Sequence, residues 1–282
     1  MKVGISMFVT DYTISPGDLG REVEARGFES LWMPEHTHIP TSRASPWGGG
    51  PNLPQHYKET LDPFMALTAA AMTTKTIKLA TGICLVVERD PIHTAKQVAT
   101  LDHLSGGRVI FGIGGGWNAE EMASHGTDFK TRFELMRERV EAMKAIWTQD
   151  VAEYHGKFVN FDPMWCWPKP VQKPYPPILL GGAFPYGARR AIAYGDGWMP
   201  IGGRDQDPVE IGNRFRQMLA EHGKDPSSMP MSVFGPKHDR GLLEKYREAG
   251  MDRTVLLIDT AQRDATLKTL DELVALTRGL AA

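Results

Sequence analysis

Cysteine is nearly missing from this chain: 282 residues hold two, Cys84 and Cys166, and no Cys-x-x-Cys occurs. That excludes a disulfide framework and a thiolate zinc site, and it fits a reducing compartment. An excess of either charge is missing too. Lys and Arg number 32 against 34 Asp and Glu, a formal charge of −2, with the signs interspersed, which argues against a protein that holds nucleic acid through a basic face. No apolar run approaches the roughly 20 residues a membrane-spanning helix needs. The strand pattern begins at Lys2 with neither a charged n-region nor an apolar h-region, so a cytoplasmic protein is expected. Nor does any shift of composition mark a boundary. Residues 1–282 are expected to form one domain, of a length common for a single α/β barrel.

What is present is a regular alternation of strand and helix patterns, the appearance of a parallel α/β architecture. Strands are expected at Lys2 to Met7, Glu29 to Pro34, within Ile77 to Val87, at Val109 to Ile113, Ile178 to Leu180, Gly197 to Pro200, Met231 to Phe234 and Thr254 to Ile258. Helical patterns separate them, the clearest being the stripe of Phe133, Met136, Val140, Met143 and Trp147, which reads as core packing. Eight strand-plus-helix units point to a (β/α)8 TIM-type barrel, with insertions after strand 2 (about Thr37 to Leu61) and before strand 5 (Tyr154 to Trp167). Both insertions are candidate covers for the active-site end, although their aromatic residues could equally pack the barrel rim.

The chain is organised around Gly106 to Glu121. Val109, Ile110, Phe111 and Ile113 form a buried-strand run, and Gly112, Gly114, Gly115 and Gly116 then strip the strand end of side chains. Asn118 followed by Glu121 fits a helix N-cap with an acidic residue at the third helical position. These residues leave two readings open, a tight βα turn with an ordinary cap and a cofactor seat. A Rossmann fingerprint is excluded, because Trp117 stands where it needs glycine.

The other expected strand ends carry mostly glycine and apolar residues, which is unlike a hydrolase and more like a seat for a planar cofactor that brings its own chemistry. Glu35-His36 follows strand 2, and His36 is a candidate proton donor or hydrogen-bond anchor, or else a loop histidine bonded to a carbonyl. Thr81-Gly82-Ile83 places glycine inside a strand, a mark of a bulge or of close approach to a ligand. Gly181-Gly182 offers amides to an anion, most plainly a phosphate. A metal-dependent barrel hydrolase built on His36 and His38 would find support from Asp259 alone, and no metal ligands are assigned.

Taken together, Leu31 to His36, Ala80 to Ile83, Gln97 to Arg108, Gly112 to Asn118 and Ile178 to Gly182 resemble the luciferase-like monooxygenase family, and within it the F420-dependent oxidoreductases. The resemblance implies a TIM-type barrel that holds coenzyme F420, or alternatively FMN, at the strand C-termini. It further implies a non-prolyl cis peptide at Gly82-Ile83 and an acidic-His pair at Glu35-His36. Phosphate-binding turns fall at Gly115-Gly116 and Gly181-Gly182, and Thr81, Gly114 and Trp117 line the same seat. The sugar-phosphate dehydrogenases of that branch carry a catalytic glutamate where this chain has Trp117, with Glu120 and Glu121 further into the helix. Glu120 is therefore a secondary candidate contact, and a sugar phosphate is not the expected substrate. The implied activity is hydride transfer between F420 and a small organic substrate, with His36 supplying a hydrogen bond or proton. The alternatives are an FMN-dependent monooxygenase using reduced flavin and dioxygen, and a cofactor carrier without turnover. A homodimer is the family's habit.

Overall fold

The computed structural model describes residues 1–202 and 207–280; the single-domain reading to 282 extends past them at its last two positions. Eight parallel strands form one continuous sheet: β1 (Lys2–Ser6), β2 (Ser30–Met33), β3 (Lys78–Thr81), β4 (Val109–Ile113), β7 (Ile178–Gly181), β8 (Gly197–Met199), β9 (Ser232–Phe234) and β10 (Arg253–Leu257). Their order is β8-β7-β4-β3-β2-β1-β10-β9, and isolated parallel bridges Trp198↔Met231 and Ile201↔Phe234 bring the two ends of the sheet round to each other. The result is a nearly closed (β/α)8 barrel.

The helices between the strands start where the sequence supplies caps. α2 (Pro63–Thr73), α3 (Pro91–Ser105) and α7 (Pro208–Glu221) each begin at an Asp-Pro pair, with Asp62, Asp90 and Asp207 accepting backbone N–H bonds of the first turn and proline taking the position that needs no donor. α3 stops at Gly106, whose φ of +66° is left-handed backbone open to glycine. α1 (Pro16–Ala25), α6 (Tyr186–Tyr194), α8 (Arg240–Glu248) and α9 (Arg263–Thr277) complete the outer layer with the pair after β4. There the expected N-cap is present, Asn118 Oδ1 accepting from Glu121 N, but α4 (Ala119–Ser124) is only one turn and a half, and the long helix α5 (Arg132–Thr148) starts after a break.

The insertion before the fifth barrel strand is a hairpin, β5 (Ala152–His155) and β6 (Asn160–Met164), paired antiparallel. It sits outside the barrel on α5: Glu138 on that helix accepts N–H bonds from Lys157, Phe158 and Val159, and Glu141 accepts from the Tyr154 hydroxyl. The insertion after β2 holds a 3₁₀ turn at Gln55–Lys58.

Inside the barrel a small core of Trp32, Ala80, Ile110, Leu179, Met199 and Val255 is fully packed. Trp32 fills the middle, and glycines make the room. A Cβ on Gly4 would fall 2.7 Å from the indole Nε1, and one on Gly112 would fall 3.2 Å from the ring and 2.1 Å from the Thr81 carbonyl oxygen. Below it Arg253 donates to both oxygens of Glu29 at 2.8 and 2.7 Å and to Ser232. The N-terminal end of the barrel is thus filled by side chains, and the strand C-termini form the open end.

Candidate active site

His36 follows β2 at the open end, and its partner comes from the far side of β3. Nδ1 of His36 lies 2.7 Å from Oε2 of Glu121, and the other oxygen, Oε1, accepts the Thr37 N–H at 3.0 Å. Both side chains are buried, Glu121 completely. A carboxylate on Nδ1 fixes the ring plane and leaves Nε2 as the nitrogen that can serve the site.

Glu35, the chain neighbour of His36, points elsewhere. Its carboxylate accepts the Leu85 N–H at 2.6 Å and the Arg89 Nε–H at 2.5 Å. Arg89 continues to Asp62 at 2.6 Å and to Gln97. One guanidinium therefore joins Glu35, just before the 37–61 insertion, to Asp62, just after it. Glu88 neighbours Glu121 and Glu35, and among the described residues neither of its two buried oxygens has a partner within hydrogen-bond geometry. Burial, reinforced by the neighbouring Glu121 and Glu35 carboxylates, pushes Glu88 up to about 9, so it holds its proton at neutral pH.

The glycine-bearing edge lies on the next two strands. The Gly82–Ile83 peptide is cis and not prolyl, at the position the resemblance implied. Thr81, in contrast, spends its hydroxyl on the Gly112 carbonyl at 2.7 Å and ties β3 to β4. The Cβ sides of the β4 glycines are occupied by protein: Ile83 Cδ1 lies where Gly114 would carry a Cβ, the Phe133 ring beside Gly115, and Met122 beside Gly116. Gly116 has a φ of +62° and Gly182 of +123°, backbone that a side chain would strain. Gly181 packs against Ile83 and the Ile113 carbonyl.

Beneath these two turns are two arginines. Arg132 and Arg190 stack on the Phe133 ring at 4.2 and 3.8 Å, and an Arg190 Nη lies 3.2 Å from the missing Cβ of Gly182. Burial pulls both guanidinium groups below their ordinary value, and Arg190 pulls Arg132 further. Among the described residues the Nε of each is buried without a partner. Neither forms an ion pair among the described residues. Paired buried cations under glycine turns make a seat whose missing charge is an anion, as a phosphate-bearing cofactor would supply.

Of the two segments expected to cover this end, 37–61 reaches the site. Tyr57 lies against His36 at 5.3 Å and against Phe8 at 4.7 Å, and Trp47 meets Tyr57 edge-on. Trp117 closes the other side of His36 at 5.8 Å, edge to face, with Arg43 over its ring. The hairpin does not join them, and Trp165 is 82% exposed. Glu120 faces outward, and Ser45 and its own backbone hold it below its ordinary value. His38 bonds the Thr37 hydroxyl, which also meets His125. Asp259 acts on His56 instead. No group of three or more metal-ligating side chains converges among the described residues.

Sequence reasoning named Glu121 only as a capping partner, and it missed Glu88, Arg132 and Arg190. A signal existed for Glu88, a lone acid closing the apolar run from Ile83 to Val87. The arginines gave none, since Arg132 opens one unremarkable helical pattern and Arg190 lies within another.

The fold is a TIM-type barrel, with a buried histidine on one side of its mouth and two half-buried arginines on the other. A model of the luciferase-like monooxygenase family matches residues 16–239, and the chain belongs to that family. It is 41% identical over 285 residues to an uncharacterised protein of Mycobacterium tuberculosis, covering 98% of each chain. It is 24% identical over 209 residues to an F420-dependent hydroxymycolic acid dehydrogenase of the same organism, 73% of this chain and 54% of that one. An FMNH2-dependent dimethylsulfone monooxygenase of Pseudomonas putida is 38% identical over 96 residues, 33% of this chain and 26% of that one. Among solved structures the fold is shared with monooxygenase RslO1 from Streptomyces bottropensis, at a TM-score of 0.78, 21% identity and full coverage of both chains. It is shared also with an F420-dependent secondary alcohol dehydrogenase bound to an F420-acetone adduct, at 0.73, 19% identity and coverage of 99% and 98%. Members of the family are F420- or flavin-dependent oxidoreductases and monooxygenases.

Proposed function

We propose that this chain is an F420-dependent oxidoreductase acting on a small organic substrate, with His36 as its proton-donating or hydrogen-bonding residue. The observation that carries the reading is the buried His36–Glu121 pair, which aims an oriented imidazole at the mouth of a barrel beside a glycine-bearing edge. When bound, F420 supplies the hydride donor or acceptor. Arg132 and Arg190, with the turns at Gly115-Gly116 and Gly181-Gly182, would hold its phosphate. Gly82-Ile83, Gly114 and Trp117 would border its ring, while Glu35 and Thr81 shape that border from behind. His36 Nε2 then gives or takes the proton that accompanies hydride transfer, and Tyr57 and Trp47 keep water from it. The F420-dependent relative in Mycobacterium tuberculosis supports this choice of cofactor.

A second reading, an FMN-dependent monooxygenase using reduced flavin and dioxygen, draws support from the Pseudomonas putida likeness. The same arginine pair would serve the FMN phosphate. Fluorescence titration of cofactor-free protein separates the two: binding of F420 but not FMN supports the first, binding of FMN alone replaces it with the second, and binding of neither removes both.

We further propose that residues 1–282 work as one barrel domain in the cytoplasm, a compartment supported by the free, buried Cys84 and Cys166. A homodimer through α2 and α3 is supported by Met65, Met72 and Leu104, which are 62%, 67% and 49% exposed on those neighbouring helices. Light scattering on wild type and Met72→Glu tests it; a monomeric wild type removes the proposal. Among the described residues no helix is long and apolar enough to cross a membrane.

A further inference from the structure

A cavity of about 430 Å³ opens on the insertion after β2, lined by Thr41, Arg43, Asn52, Gln55 and Lys58 among apolar residues. Its size suits a small ligand, and two of its polar groups are cations. No carboxylate lines it. Glu59, the single acid of the insertion, accepts from Gln55 at 2.7 Å and acts on Tyr12 and His56. The ion pairs near His36 run through that histidine, Arg89 and their acids, and among the described residues Arg43 and Lys58 take part in none. Glu120 feels Arg43, but Ser45 is its first partner.

Arg43 is also held in a costly backbone. Its φ is +51°, the one positive value at a non-glycine residue among the described residues. Ser45 Oγ accepts the Ala119 N–H at 3.0 Å and docks this turn on the start of α4. The guanidinium thereby lies over the Trp117 ring, whose edge-to-face contact closes one side of His36. On the other side Tyr57 meets His36 from the same 3₁₀ turn that carries Gln55 and Lys58. The cavity thus adjoins both aromatic walls of the histidine. Strain kept at a cation that no acid pairs, beside a site, points to an anionic ligand.

We propose that the substrate is an organic acid, its carboxylate held in this cavity by Arg43 and Lys58 while its carbonyl or carbinol carbon lies at His36. The inference rests on the proposed function, in which His36 marks the reacting centre. In the reducing direction the oxo acid takes a hydride from the reduced cofactor at carbon and a proton at oxygen, and becomes a hydroxy acid. The carboxylate is unchanged. Trp117 and Tyr57 face the apolar chain between the two ends.

Calorimetric titration tests this with levulinate and its longer straight-chain homologues, each beside its methyl ester. It is run on cofactor-free protein and on protein carrying whichever of F420 and FMN binds. At least one acid is expected to bind about tenfold or more tightly than its ester at low salt, the size of a charge-assisted hydrogen bond. Added salt should narrow the gap. Arg43→Met and Lys58→Met should each shrink it without weakening the ester, and Arg43→Lys should restore part of it. Arg190→Met, which disables the cofactor's anion seat, should leave it in place. Equal binding of acid and ester, no binding of either, or a gap that Arg190→Met abolishes and Arg43→Met does not, overturns the proposal. Failure of the functional reading shows elsewhere, as cofactor titrations without binding or undiminished turnover in His36→Ala, and neither result alters the acid-to-ester ratio.

Discussion

His36 Nδ1 and Glu121 Oε2 meet at 2.7 Å although 85 residues separate them in the chain. Glu121 occupies the third position of α4, where a glutamate ordinarily reaches back to the N-cap amide. Here Asn118 caps the helix, accepting the Glu121 N–H at 3.2 Å, and the carboxylate turns inward to His36 and Thr37. The short helix α4 thus delivers an acid to the site.

Replacing His36 by alanine should cut turnover about a hundredfold or more, with cofactor affinity changed by no more than a factor of a few. Steady-state kinetics beside the fluorescence titration check both halves. Glu121→Gln keeps the shape but not the charge and should fall in the same direction, since the imidazole loses the carboxylate that orients it.

The arginine pair should show the opposite division. Arg190→Met is expected to weaken cofactor binding about tenfold or more, the size of a lost charge-assisted hydrogen bond, and to flatten the salt dependence of that binding. Turnover at saturating cofactor should hold. Affinity equal to wild type at low salt would show that the anion seat lies elsewhere.

Glu88 also makes a stability prediction. Its folded value, about 9, lies above the ordinary glutamate value of 4.5, so the folded state binds the proton more tightly. The contribution is fully present below the lower value and is lost progressively as pH climbs to the upper one. Glu88→Gln should therefore gain in stability over wild type as pH rises across that window, then level off. Urea denaturation at a series of pH values measures the difference.

Glu24 works in the opposite sense. Burial raises it, but the N–H groups of Lys75, Thr76 and Ile77 and the Thr76 hydroxyl outweigh that and bring it from 4.5 to about 2. It pins α1 to the turn before β3. This stability is present above the unfolded value and is lost as pH falls toward the folded one. Glu24→Gln should be less stable at neutral pH and lose less than wild type on acidification, measurable by thermal melts.

Gly112→Ala would press a methyl group to 2.1 Å from the Thr81 carbonyl oxygen. Backbone cannot swing aside like a flexible side chain, so β3 and β4 must part. A loss of about 3 kcal/mol or more is expected, seen as a lower urea midpoint or as insoluble protein.

The barrel was legible because its strands are short apolar runs between helices that announce their own starts: Asp62-Pro63, Asp90-Pro91 and Asp207-Pro208 are local signals. Val109–Ile113 matches the expected strand at both ends. His36 was legible from its place after a strand. Its partner was not, because Glu121 lies 85 residues further along the chain on α4, and only the fold brings the two together. The glycines of β4 were read as bare backbone for a ligand, yet on their Cβ side they make room for Trp32, Ile83 and Phe133, a fact of three-dimensional packing. The hairpin was legible as an excursion but not as an outward one, since nothing in its own residues says which helix will receive it.

Arg89 joins Glu35 to Asp62, and so fastens both ends of the insertion after β2 with a single side chain. Closing a loop of this kind costs little more when the loop grows, because the entropy rises only slowly with length. The insertion is thereby a cassette: its interior can be lengthened, shortened or exchanged with the barrel feeling little beyond the fastened ends. A chimaera that keeps Glu35, Asp62 and Arg89 and swaps what lies between would acquire new substrate contacts while inheriting this barrel's fold.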